Sequence, residues 1–315
     1  MNELLIKAAL KAYGLENASW SLIRHNENLT VNVEDRYLLR VHQHAEGFST
    51  EVYDDGHDLV ALRRRELAFL RHLRDRGMAV QTPIPNRSGD DVTILPGGVC
   101  ATLLTWLPGH TPHEEDVPQG VYARAGSMVA RMHREAIGFP TEGLLRYDAS
   151  LCRRLAGWVQ GALSDGLLSP EHADTLDAAL RVITERLPGE NSIVVHADLS
   201  SSNILVTDAG LVPIDFSLMG LGHPMMDIAC LFGSVNGLEA RQRLVEGYRA
   251  EGGTIAFPEL DACFALNILL YIALHLHAGM DMTQSLDRWQ RHTFGPLGKG
   301  QRVFGDDFRM LHVPD

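Results

Sequence analysis

A chain of 315 residues with 40 acidic and 28 basic side chains carries a formal net charge of −12, and 45% of its residues are hydrophobic. That length can bury a substantial core in one bilobal unit or two domains, and the acidic balance argues against a nucleic-acid partner. Cys100, Cys152, Cys230 and Cys263 stand far apart with no Cys-x-x-Cys. Neither a zinc frame nor a disulfide scaffold is indicated, and reduced cytosolic thiols are expected.

Residues 3–13 read as a first helix. Glu3 and Lys7 interrupt any apolar run there, so no signal peptide is expected and the location is read as cytoplasmic. Asn26–Val33 and Arg36–His42 alternate like a hairpin with a polar turn at Glu34-Asp35. A long helix follows at 58–76, with Leu62, Leu67, Phe69, Leu70 and Leu73 at helical spacing and Glu66 beside that stripe. Arg63, Arg64 and Arg65 are expected on its solvated face, because three bases on so acidic a chain make no phosphate-binding stripe.

Val99–Trp106 reads as a buried strand, ended by Leu107-Pro108-Gly109, a break of the kind found between lobes. His113-Glu-Glu-Asp116 is expected to be a solvated loop, with His110 and His113 satisfied locally rather than ligating a metal. Helices are expected at 121–137, 150–165 and 171–187. Ser192–Val195, Ile204–Val206 and Leu211–Ile214 then read as short apolar strands, with turn chemistry at Asp208-Ala-Gly210. Further helices near 225–233, 237–251, 258–278 and 282–292 precede an aperiodic tail. Cys263–Leu274 is the most apolar stretch, but at about a dozen residues it is too short for a bilayer. It reads as a core helix, no membrane partner is expected, and His275 and His277 read as satisfied helix-end histidines.

The residues that carry chemistry are His196-Ala-Asp198-Leu-Ser-Ser-Ser-Asn203 and Ile214-Asp215-Phe216. A lone His-x-Asp is commonly a turn with a satisfied histidine. Jointly, the two segments place an Asp, an Asn and a second Asp on neighbouring short strands. Asp198 can accept a hydroxyl proton, while the Asn203 amide oxygen and the Asp215 carboxylate are hard donors suited to magnesium. His196, at the base of the loop, is suited to fixing its shape.

This joint pattern resembles the catalytic core of the aminoglycoside phosphotransferase and choline kinase-like family, which has the protein-kinase fold and phosphorylates mostly small molecules. The resemblance implies an α+β bilobal fold: a small antiparallel-sheet lobe at residues 1–106 that binds nucleotide, and a larger, mainly helical lobe at 107–315 that binds substrate. It implies ATP and magnesium, with Asp198 as catalytic base and Asn203 and Asp215 on the metal. Asp227 matches a family position that buttresses the loop, although a helix-start carboxylate has a dipole role as well. Arg40 stands where the family's phosphate-gripping Lys is expected, with Glu66 as its partner. Leu104–Leu107, including Leu104 and Trp106, falls on the segment that touches adenine.

Three departures accompany the resemblance. Ala197 stands where Gly is common, Arg replaces Lys at 40, and no Gly-rich loop is present, leaving Asn26–Asn28 as the turn over the phosphates. The implied acceptor is the hydroxyl of an aminoglycoside, homoserine, choline-like alcohol or sugar. Acceptor contacts are expected from helices after 225 and from the 107–118 loop. Residues 107–315 hold 26 acids and 16 bases against 14 and 12 in residues 1–106. Net charges of −10 and −2 favour a cationic acceptor. Three other classes stay open: a protein Ser/Thr kinase, an inactive nucleotide-binding protein, and a metal-dependent hydrolase, which would need more clustered His and Asp ligands.

Overall fold

The computed structural model describes residues 2–48, 50–53, 56, 58–276 and 282–313. Helix α1, Asn2–Tyr13, buries Leu5, Ile6, Ala9 and Leu10 along one stripe. That stripe packs on one face of an antiparallel sheet. The first sheet strands are β1 (Trp20–His25), β2 (Leu29–Val33) and β3 (Tyr37–Val41). Leu29, Val31, Val33, Leu39 and Val41 alternate toward α1, where Ala101 and Leu103 join them. Period two therefore sends Arg40, between Leu39 and Val41, to the opposite face. The β2–β3 turn has left-handed Glu34 and Asp35, as a tight hairpin of matching twist requires.

The opposite face receives α2, Leu59–Asp75, whose first turn is capped by the Asp58 carboxylate accepting from the Val60 N–H at 2.9 Å. Its buried stripe is Arg63, Glu66, Leu67, Leu70 and Leu73. Arg63 is thus inside, at 5% exposure, which corrects the expectation of a solvated arginine face at that position. Strands β4 (Pro83–Ile84) and β5 (Val92–Ile94) both pair with β6 (Cys100–Thr105), giving the order β1-β2-β3-β6-β4.

After β6 the chain crosses through Leu107-Pro108-Gly109, and His110 forms a two-way backbone bridge with Val206. A Cβ at Gly109 would stand 2.6 Å from the Val206 carbonyl, so this approach requires glycine. His113, Glu114 and Glu115 are exposed as the solvated reading expected, but the stretch is a capped turn in which Asp116 is buried at 5% and accepts the His113 N–H.

The helical part comprises α3 (Val121–Ala136), the short strand β7 (Leu145–Arg146), α4 (Ala149–Ser164) and α5 (Pro170–Arg186). Then β8 (Ile193–Val195) leads to the hairpin β9 (Ile204–Thr207) and β10 (Gly210–Pro213), followed by β11 (Gly220–Gly222) between β7 and β8. Helices α6 (Met225–Ser234), α7 (Gly237–Ala250), α8 (Phe257–His275), α9 (Thr283–Trp289) and α10 (Gly295–Gly298) complete it. Residues 290–294 form a π-helical turn, so the expected 282–292 helix changes pitch before its end. The expected end of α8 at 278, and His277, lie outside the described residues. Helix α8 is apolar and long enough to cross a membrane by composition, yet 67% of its apolar window is buried in the protein core. Helices α3 and α7 cross with almost no side chain between them: a Cβ at Gly126 would meet the Leu244 carbonyl at 1.9 Å, and one at Gly247 the Ala123 carbonyl at 1.8 Å.

Candidate active site

Strand β8 delivers His196 to a loop that β11 and α6 hold from below. His196 is fully buried, its Nε2–H donating to the Ile214 carbonyl at 2.9 Å while Nδ1 accepts the Asp198 N–H at 3.3 Å. Burial holds its pKa below the ordinary value, consistent with a neutral ring. Ala197 sits at φ 65°, a region that L-residues with a Cβ avoid. Two hydrogen bonds hold it there. Asp227 accepts the His196 N–H at 3.1 Å with one oxygen and the Ala197 N–H at 2.8 Å with the other. Asp227 itself is fully buried and is anchored by His133 on α3, Nε2 to Oδ2 2.9 Å. Burial would raise its pKa, but the His133 hydrogen bond and charge outweigh it and keep Asp227 below the usual carboxylate range.

That loop presents Asp198 to a cleft of about 410 Å³. Asn203 Nδ2 donates to both the Asp198 backbone carbonyl, at 2.7 Å, and its Oδ2, at 2.9 Å. The amide is thereby oriented, with Oδ1 left as its acceptor. Burial, then the charges of Asp215 and Glu27, push the Asp198 carboxyl up to about 7.

Asp215 arrives from β10 through a second left-handed residue, φ 63°. Its Oδ1 accepts from Arg40 NH1 at 3.1 Å, and its Oδ2 pairs with Arg24. Arg40 is also ion-paired to Glu66 on α2, and Glu66 is held in turn by Arg63 NH1 at 2.9 Å. Arg63 reaches on to the Ser217 carbonyl, also at 2.9 Å, tying α2 to the segment after Asp215. Burial disfavours the Arg40 charge, but Glu66 and Asp215 outweigh it and hold the guanidinium firmly protonated. Burial likewise opposes ionisation of Asp215, and Arg40 with Arg24 reverses the balance.

The structure therefore brings together Arg40, Glu66, His196, Asp198, Asn203, Asp215 and Asp227. It does not bring Leu104 or Trp106 to this cleft. Leu104 is a core residue, and the Trp106 N–H donates to the Arg36 carbonyl at 2.9 Å. Nor does the 107–118 loop line it. The far wall comes from α6, α8 and α9 through Ser234, Phe264, Asn267, Tyr271 and Trp289, with Phe48 packed edge-on against His275 at the end of α8. Asn26, Glu27 and Asn28 do line the cleft. Asn28 is fixed there by His42, Nδ1 to Oδ1 2.7 Å.

The family model for the phosphotransferase enzyme family (APH) matches residues 19–263. This chain belongs to that family. Among curated proteins it is 28% identical over 231 residues to an uncharacterized protein of Deinococcus radiodurans, covering 70% of this chain and 63% of that one. It is 31% identical over 179 residues to a homoserine kinase of Neisseria meningitidis (53% and 54% covered) and 27% over 180 to an amicoumacin kinase of Bacillus subtilis (54% and 52%). The matches thus span between half and two thirds of these relatives' lengths. Among solved structures, the amicoumacin kinase hAmiN in complex with AMP-PNP, Ca2+ and Ami superposes with a TM-score of 0.71 at 17% identity, covering 95% and 94% of the two chains. A microcompartment-associated aminopropanol kinase gives 0.66 at 20% identity, again covering 95% and 94%. These likenesses show a shared fold: a phosphotransferase-family α+β architecture with an antiparallel sheet and a helical remainder.

Sequence reasoning missed the roles of Arg24 and Arg63, and it placed Glu27 only as part of the Asn26–Asn28 turn. Arg24 follows a bulge, since Leu22 pairs with Val31 but Arg24 pairs with Thr30. The extra residue breaks the alternation from which its facing would have been read. Strand β1 went unrecognised for the same reason. Glu27 Oε2 accepts from Ser217 Oγ at 3.0 Å, a contact 190 residues away in sequence that no local pattern signals. Arg63 lies three residues before Glu66, a helical i,i+3 spacing that did carry a signal.

Proposed function

We propose that this chain moves the terminal phosphoryl group of ATP to a hydroxyl of a small molecule, with residues 1–106 as nucleotide lobe and 107–315 as catalytic and acceptor lobe. The observation that carries the reading is Asp198, held by the Asn203 amide at the floor of the cleft, with Asp215 fixed beside it by Arg40. A divalent cation fits the donor set. The Asp215 oxygens already face two guanidinium cations, and Asn203 Oδ1 adds a second hard oxygen. Asp215 and Asn203 would hold a magnesium ion, which supplies positive charge against the nucleotide phosphates.

Each remaining step belongs to the chain's own side chains. Asp198 accepts a hydrogen bond from the acceptor hydroxyl, orients it, and takes its proton as the oxygen attacks phosphorus. A carboxyl near 7 suits a base working at neutral pH. Arg40 neutralises phosphate charge, and Glu66 with Arg63 keeps its fork aimed. Asp227 and His196 set the loop. Adenine is assigned to the backbone of residues 104–107, since the Leu104 side chain is engaged in the core.

The acceptor wall of Phe264, Tyr271, Trp289 and Phe48 is aromatic, and the lining carboxylates are Glu27, Asp198 and Asp215. Aromatic faces and carboxylates together suit an amine-bearing alcohol. The relatives named for homoserine and amicoumacin, and the net charge of −10 on residues 107–315, support the same class. The test is magnesium-dependent ADP release across amino alcohols, homoserine, aminoglycosides, choline and sugars. The expected result is stimulation by an amine-bearing alcohol that Asp198→Asn abolishes while ATP binding persists. Labelled protein bands with no small-molecule stimulation would instead establish a protein kinase.

A further inference from the structure

Outside the cleft, one group of metal-ligating side chains among the described residues converges on a single point: His110, His113 and Asp116. Their donor atoms all lie within 4.8 Å of one another. His110 Nε2 stands 3.2 Å from each Asp116 oxygen, and His113 Nδ1 is 3.4 Å from Oδ2. The two imidazoles stack at 4.5 Å between centroids with planes 19° apart, both turned onto one carboxylate.

We propose that these three residues bind a borderline divalent transition ion, zinc(II) foremost, where the chain leaves the sheet and enters the helical part. Four arguments carry this. The first is spacing. Zinc bonds of about 2.0–2.1 Å at tetrahedral angles separate neighbouring donors by about 3.3–3.4 Å. The 3.2 and 3.4 Å separations from each imidazole to the carboxylate already match, and the imidazole donors lie within 4.8 Å of each other, so an ion enters by displacing shared protons and drawing the two rings onto it. The second is preorganisation. Asp116 is 5% exposed and its Oδ2 accepts the His113 backbone N–H at 3.0 Å, an outer hydrogen bond of the kind that orients ligating carboxylates.

The third is a rigid base. The His110 backbone is bonded to Val206 in both directions, N to O 3.2 Å and O to N 2.7 Å, so the first ligand is carried by β9. The fourth is chemistry. Two imidazoles and one carboxylate suit zinc, copper or nickel, whereas magnesium and calcium take all-oxygen sets. Both histidine side chains are 48% exposed, which leaves an entry path and an open coordination position, and exposed Glu114 and Glu115 enrich cations beside it. An ion here closes the 110–116 turn on itself, and the existing His110–Val206 backbone bridge ties that stiffened turn to β9, the strand that follows Asn203. The pattern spans seven residues with its ligands at 110, 113 and 116, and spacing alone did not distinguish it from a solvated loop.

The test uses the whole chain stripped of metal and titrated with zinc chloride against a fluorescent chelator. Cobalt(II) absorption reports the coordination. The expected result is one equivalent bound tightly by wild type, with His110→Gln and Asp116→Asn each weakening it at least about tenfold. Asp215→Asn, in the separate cleft, should leave that equivalent intact. Asp116→Asn keeps an oxygen to accept the His113 N–H, and a circular-dichroism melt checks that both variants fold. Zinc bound no more tightly by wild type than by Asp116→Asn, or an equivalent lost in Asp215→Asn, overturns the proposal. Because the readout is ion binding, failure here leaves the phosphotransfer reading untouched, and failure of that reading leaves this site standing.

Discussion

Replacing Asp227 with Ala tests the architecture that shapes the catalytic loop. The carboxylate is fully buried and satisfies three donors at once: the His196 and Ala197 amides at 3.1 and 2.8 Å and the His133 ring at 2.9 Å. Removing it strands those donors in a site shielded from water. Each unsatisfied buried donor costs about 1–3 kcal/mol, and breaking a buried charged contact typically costs about 3–5 kcal/mol in all once relaxation is included. Ala197 also loses the bond that offsets its left-handed backbone. We therefore expect Asp227→Ala to lose about 4 kcal/mol of unfolding free energy. Asp227→Asn should lose less, since its amide oxygen retains at least one backbone donor and His133 can change tautomer to accept its NH2. Urea denaturation followed by circular dichroism measures both, and ADP release is measured well below the transition. Transfer should fall in both variants even where the protein is fully folded, because Asp198 is the second residue beyond His196. An Asp227→Ala protein within 1 kcal/mol of wild type would refute the buttress, about a quarter of the expected loss.

Four other outcomes are expected. The free enzyme's kcat/KM should fall as pH drops through about 7, where Asp198 takes up its proton, and a flat profile across that pH would contradict the assignment. The same shift carries a stability sign. With its folded value raised from 3.8, Asp198 binds more protons folded than unfolded between those values, so its contribution falls as pH rises across that window. Asp198→Asn should accordingly be more stable than wild type at pH 8, the gap closing toward pH 4, and a pH-independent gap in urea midpoints would contradict this. Arg40→Lys should not restore the commoner family arrangement, because one ammonium cannot reach Glu66 and Asp215 as the fork does. About 1.5–3 kcal/mol of stability and a larger share of nucleotide affinity should be lost, read by thermal shift and calorimetry. Gly126→Ala should cost about 3 kcal/mol or more by driving α3 from α7, whereas Gly161→Ala, with open space around it on α4, should be neutral or stabilising by about 0.5–1 kcal/mol. Equal melting temperatures for the two would remove the helix-crossing argument.

Much of this was legible in the sequence because it is written in local periods. Strand β3 with Arg40, the α2 helix, the helices from Val121 to Arg186 and the short strands on either side of the catalytic loop fall within a residue or two of expectation, while β2 begins at Leu29, three residues after the expected Asn26. Arg40 and Glu66 could be paired because alternation and helical spacing each fix a facing direction. What stayed hidden depends on distance or on broken periods. The β1 bulge hid Arg24, and the 190-residue separation hid the Glu27–Ser217 contact. Strands β4, β5, β7 and β11 are two or three residues long, too short for a pattern. Leu104 shows a limit of another kind: its side chain belongs to the core, so only the backbone of its segment is left for the expected adenine contact.

The Arg24–Asp215 contact has a consequence for what the resting cleft will accept. Arg40 and Arg24 occupy both oxygens of the carboxylate, so the molecule supplies its own counter-ions before any nucleotide arrives. Filling the site is then a substitution of one cation for another. A bare divalent ion must evict a guanidinium and leave it without a partner, while an ion arriving on a polyphosphate brings new anionic oxygens for the displaced arginine. Arg24, half-exposed and lining the cleft, is the guanidinium that those oxygens would meet. On the phosphotransfer reading proposed above, such a cleft should hold a free divalent ion more weakly than one that arrives on a polyphosphate.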